Sequence, residues 1–116
     1  MKFEEFEKII ITDIMEQYPQ YKQKLQAQFE SIVVQKREFF ACGFSTDYAV
    51  TAVEETLGED KNLQLGEHQW NINGLKHGSD YILWITNGLI SSLEGFSYQE
   101  RWPDEILWCE KMEALK

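Results

Sequence analysis

Two histidines, two cysteines and twenty carboxylates are the residues of this 116-residue chain whose types could do chemistry. A zinc site places its Cys and His ligands roughly two to five residues apart. Cys42 and Cys109 each lack such a neighbour, and so do His68 and His77. His68 alternates in phase with Trp70 and Ile72, the pattern of a histidine on a sheet face. His77 stands beside Gly78 in a loop, where it can bind a ligand or bond its own backbone. No phosphate-binding glycine loop, His-Glu-x-x-His pair or nucleophile elbow is present. We therefore expect no metal, no cofactor and no catalytic set.

The adjacent acids Glu4-Glu5, Glu54-Glu55, Glu59-Asp60 and Asp104-Glu105 arise by chance in so acidic a chain, and a solvated face accounts for them. Glu94 is different, because it lies in an apolar run just before Gly95-Phe96. A buried carboxylate requires a donor or a cation, and Arg101 or the Tyr81 hydroxyl could supply one. A structural hydrogen bond is its simplest role. A cleft near His77, Asp80, Glu94 and Arg101, serving a small-molecule binder or an enzyme, is the alternative.

Charge is lopsided. The chain carries −9, and residues 38–67 hold seven acids (Glu38, Asp47, Glu54, Glu55, Glu59, Asp60, Glu67) against the single base Lys61. Such a balance argues against phosphate backbones and anionic lipid as partners. It suits a protein that masks a basic partner, since complementary fields speed encounter. Tryptophan supplies the apolar counterpart. Trp70, Trp84 and Trp102 are candidate anchors beside Glu54, Glu55, Glu59 and Asp60, with at least one indole expected at the surface.

The elements that position these residues follow from periodicity. Phe3, Phe6, Ile10 and Ile14 recur at helical spacing, with Ile9 widening the stripe. Pro19 cannot donate an intrahelical bond and biases Tyr18 away from helical angles. Two helices are therefore predicted, over residues 2–17 and 19–29, with Pro19 at the first position of the second. Beyond them Ile32-Val33-Val34 and the aromatic stretch 37–49 read as strand, with Gly43 marking a bulge or a close backbone approach. Residues 51–62 are a polar loop with at most one helical turn. Leu63 and Leu65 open a short strand closed by Gly66, and His68, Trp70 and Ile72 lie on a half-buried one.

Asn87-Gly88 is a two-residue hairpin turn between β-rich runs. Counting outward pairs Thr86 with Leu89, Ile85 with Ile90, Trp84 with Ser91, Leu83 with Ser92, Ile82 with Leu93 and Tyr81 with Glu94. Both faces carry apolar side chains. The hairpin is thus central, with the N-terminal helices on one face and either cover or a binding patch on the other. Trp102-Pro103 ends the sheet, and Asp104 caps a short C-terminal helix bearing Ile106, Leu107 and Met112.

Arg37-Glu38, Gly43-Phe44-Ser45-Thr46-Asp47, Trp70-Asn71-Ile72-Asn73-Gly74-Leu75-Lys76-His77-Gly78, the stretch from Leu83 through Leu93-Glu94-Gly95-Phe96-Ser97-Tyr98, and Trp102-Pro103 carry a resemblance. Over residues 36–106 the chain resembles a family of small uncharacterised bacterial proteins. The resemblance implies an α+β sheet protein and brings no activity, cofactor or catalytic residue. Ser79-Asp80 departs from the small apolar residues that the pattern places after the loop glycine.

The expected fold is a single α+β domain over residues 1–116, with N-terminal helices on an antiparallel sheet of four to six strands and a short C-terminal helix. The length suits one core without a disulfide or metal staple. No apolar run reaches the roughly 18 residues of a membrane span. The start Met1-Lys2-Phe3-Glu4-Glu5 is too acidic for a signal peptide, so a cytoplasmic location is expected. The expected function is a non-enzymatic interaction protein of the inhibitor or immunity type, binding a basic protein and neither nucleic acid nor membrane.

Overall fold

The computed structural model describes residues 1–113. Helix α1 (Phe3–Gln17) buries Phe6, Ile10, Ile11, Ile14 and Met15 along its apolar stripe. Tyr18 breaks the helix with φ −128°, and α2 (Pro19–Phe29) begins at Pro19. Both helices fall within a residue of their predicted bounds. No helix among the described residues is long and apolar enough to cross a membrane.

Seven strands follow: β1 (Ile32–Phe40), β2 (Gly43–Val50), β3 (Leu63–Leu65), β4 (Trp70–Ile72), β5 (Ser79–Thr86), β6 (Leu89–Ser97) and β7 (Cys109–Lys111). A single 3₁₀ turn, Val53–Glu55, lies between β2 and β3. The sheet runs β1-β2-β6-β5-β4-β7 with β3 also on β5, and every pairing is antiparallel. The fold is therefore α+β, with helices on one sheet face.

The strand number exceeds the predicted four to six for two reasons. The aromatic stretch is two strands rather than one, because the chain reverses at Ala41-Cys42 and pairs Phe40 with Gly43. Among the described residues the predicted C-terminal helix is absent, and β7 pairs with β4 in its place. Asn73 explains the second difference. Its side-chain amide donates to Glu105 O at 2.7 Å, and its oxygen accepts from Leu107 N at 2.8 Å. Backbone groups that a helix would pair internally are thus held by a distant side chain, and Ile106 is drawn into the core.

Asn87 (φ 52°) and Gly88 (φ 81°) form the predicted hairpin turn. Thr86–Leu89 and Ile85–Ile90 pair as expected, but a bulge follows. Trp84 faces Ser92, Leu83 faces Leu93, Ile82 faces Glu94 and Tyr81 faces Gly95. One extra residue at Ser91-Ser92 shifts every later pair, and the shift brings Leu83 and Leu93, both fully buried, onto the helix side together. Unshifted pairing would set Leu83 against a serine. A Cβ on Gly95 would lie 2.3 Å from Phe44 Cε1 and 2.7 Å from Tyr81 Cε1, so only glycine fits between these rings.

The core is aromatic at one end. Phe44 packs against Phe3 (ring centroids 4.7 Å) and Trp102 (5.4 Å), and Tyr81 against Phe6 (5.8 Å). Glu7 is buried there as well. It accepts from Arg37 Nε at 3.3 Å and from the second guanidinium nitrogen, while Arg37 sits 5.1 Å over the Phe3 ring. Burial, with the Glu7 charge beside it, pushes the Tyr48 hydroxyl far above its ordinary range.

Candidate functional site: the uncovered face of the sheet

Helices α1 and α2 cover one face of the sheet. The opposite face is organised by strand register into three rows. Phe40, Gly43, Phe96 and Asp80 form the first, and Glu38, Ser45, Glu94 and Ile82 the second. Lys36, Asp47, Ser92, Trp84 and Gln64 form the third. Apart from the buried Gly43, every residue in these rows is half-buried or exposed, whereas Phe44, Thr46, Tyr81, Leu83 and Leu93 on the helix side are buried.

This outer face is both apolar and acidic. Phe40 is 56% and Phe96 36% exposed, with Tyr98 edge-on to Phe96 at 6.3 Å and Ile82 and Trp84 half-buried beside them. Glu38, Asp47, Asp80 and Glu94 stand among these residues against the single base Lys36, which pairs with Glu38. Asp47 and Glu94 have no ion pair or side-chain hydrogen bond among the described residues. Burial raises the Asp80 carboxyl above its ordinary range despite a hydrogen bond from Gln69. A groove of about 400 Å³ opens over Gly43, lined by Phe40, Cys42, Ser45, Glu94 and Phe96.

The candidate residues are dispersed relative to expectation. Trp70 (8% exposed) and Trp102 (4%) fill the core and present no anchor to a partner. Trp84 lies on the outer face with its indole Nε1 buried and without a partner among the described residues, and the exposed indole is Trp108. Glu54 and Glu55 occupy the 3₁₀ turn, and Glu59 and Asp60 the loop after it. That loop is tied to the hairpin tip by Leu57 N donating to Gly88 O (3.0 Å) and Gly88 N to Lys61 O (2.8 Å). These acids therefore border the end of the sheet at which the Trp84 row lies.

The four residues of the candidate small-molecule cluster have different local partners. Asp80 and Glu94 share the outer face. The His77 backbone N–H is latched to Glu100 at 2.9 Å, beside Lys76 N at 2.8 Å, and Arg101 is exposed, pairing with Asp104 at 3.7 Å. The two backbone N–H groups hold the Glu100 carboxyl below its ordinary range. Glu94 faces Ile82 rather than Tyr81, because of the bulge, and the Tyr81 hydroxyl bonds Ser79 at 2.7 Å on the helix side. His68 Nδ1 bonds Asp13 at 2.9 Å.

Among the described residues no three His, Cys, Asp or Glu side chains converge to hold a metal ion. Cys42 and Cys109 are both free thiols. Phe40, Ile82 and Phe96 were not singled out from sequence. For Phe96 the signal was the period-2 alternation of β6, legible only with the bulge in place. Compared with family models, curated proteins and solved structures, the chain matches none.

Proposed function

We propose that this chain is a non-enzymatic interaction protein that binds a basic protein partner on the outer face of its sheet. It acts in the cytoplasm as an inhibitor or immunity-type protein, sequestering a basic toxin or nuclease, and belongs with the small bacterial family it resembles. The observation that carries the reading is the uncovered face itself. Apolar side chains for affinity alternate there with carboxylates for steering, and interfaces combine these two elements. The net charge of −9 extends the same field beyond the face and disfavours nucleic acid.

Binding of a Lys/Arg-rich amphipathic probe peptide, followed by fluorescence anisotropy against its Glu-substituted counterpart, tests the reading. Only the basic peptide should bind, more weakly at high salt. The double variant Asp47→Lys/Glu94→Lys should lose roughly tenfold or more in affinity at unchanged thermal stability. Equal binding of both peptides, or an unchanged affinity in the double variant, would overturn it.

A further inference from the structure

Resting on that reading, we infer that the outer face holds a receptor for one arginine side chain of the partner, a box walled by Phe40 and Phe96 and acidic at Glu38 and Glu94. The strand register builds it. Phe40 and Phe96 both pair with Gly43, from opposite sides, and Glu38 and Glu94 both pair with Ser45. Each aromatic stands two residues from its carboxylate on the same strand, so the four side chains rise from one face around Gly43 and Ser45. With strands about 4.8 Å apart, a cation centred over Gly43 has side chains rising about 5 Å to either side of it in the plane of the sheet, and a cation–π contact reaches roughly 6 Å from a ring centroid.

The floor is bare for a packing reason. A Cβ on Gly43 would meet Gly95 O at 2.2 Å, so β2 and β6 approach this closely only with glycine there. The consequence is the groove of about 400 Å³ between the two rings. Its charge is available. Glu94 has no ionic or hydrogen-bonded partner among the described residues. Among the described residues Glu38 is engaged only by Lys36, in an ion pair whose two side chains are 44% and 64% exposed, and such surface pairs exchange readily. Arginine fits better than lysine. Its planar, weakly hydrated guanidinium stacks on rings and donates two parallel bonds to one carboxylate.

The test is an amide-shift titration with N-acetyl-arginine methylamide, and with its lysine and citrulline counterparts. The arginine probe should give saturable shifts at Gly43, Ser45, Gly95 and Phe96, the lysine probe should bind several-fold more weakly, and the uncharged citrulline probe should leave these amides unmoved. Glu94→Gln and Phe96→Ala should each weaken arginine binding roughly tenfold. Citrulline or tetramethylammonium binding as well as arginine, or unmoved box amides, would overturn the proposal. If the box amides stay still while the basic peptide still binds the face, the box alone fails. If the peptide also fails to bind, the broader reading falls with it.

Discussion

The side chain of Gln28 on α2 is bonded to the backbone of Ile90 at the start of β6. Its Oε1 accepts from Ile90 N at 2.8 Å, and its Nε2 donates to Gly88 O at 2.9 Å and to Glu55 O at 2.8 Å. One fully buried amide thus ties the second helix to the hairpin and to the 3₁₀ turn. Gln28→Leu keeps the volume and strands these backbone groups, which should cost about 2–3 kcal/mol in urea unfolding. A loss under about 0.5 kcal/mol would mean that the tie contributes little.

Arg37 neutralises Glu7 inside the helix–sheet interface. Removing one partner of a buried pair leaves an uncompensated charge, whereas removing both does not. Arg37→Leu should therefore destabilise by about 3–5 kcal/mol, and the double variant Glu7→Leu/Arg37→Leu by clearly less. Equal losses in the two variants would show that packing, and not the charge, sets the effect.

Asp13 on α1 is held by His68 on one oxygen and by Lys111 of β7 on the other, at 2.9 and 3.1 Å. Burial pushes its carboxyl up, but these hydrogen bonds and charges outweigh burial and hold it below the ordinary range near 3.8. A lowered folded-state pKa contributes stability that is present above the unfolded value. That contribution is lost as pH falls through the folded one. Wild-type stability should fall more steeply below about pH 4 than that of Asp13→Asn. Parallel acid limbs in melts of the two proteins would contradict this.

Legibility from sequence tracked whether a signal was local. Pro19 divides the helices and Asn87-Gly88 closes a hairpin by chemistry within a few residues, and both were readable. The Ala41-Cys42 reversal carries no Gly or Asn at its centre. Ser91-Ser92 hides a bulge because two adjacent polar residues leave no phase to follow. That single slip exchanged the two faces of β6 beyond it and placed Glu94 in the core. The capping of 105–108 by Asn73 is a long-range contact, so Asp104 read as a helix start. Trp102 had no local mark of burial, since the aromatic core that takes it up is assembled from α1, β2 and β5.

The four indole N–H resonances give the most direct test of binding on the outer face. A titration of ¹⁵N-labelled protein with the basic probe peptide reads all four at once. Binding on the outer face should move the Trp84 resonance, whose Nε1 lies under that surface without a partner among the described residues, and leave the core residues Trp70 and Trp102 in place. Movement of Trp108 alone, or no movement of Trp84 at saturating peptide, would contradict it.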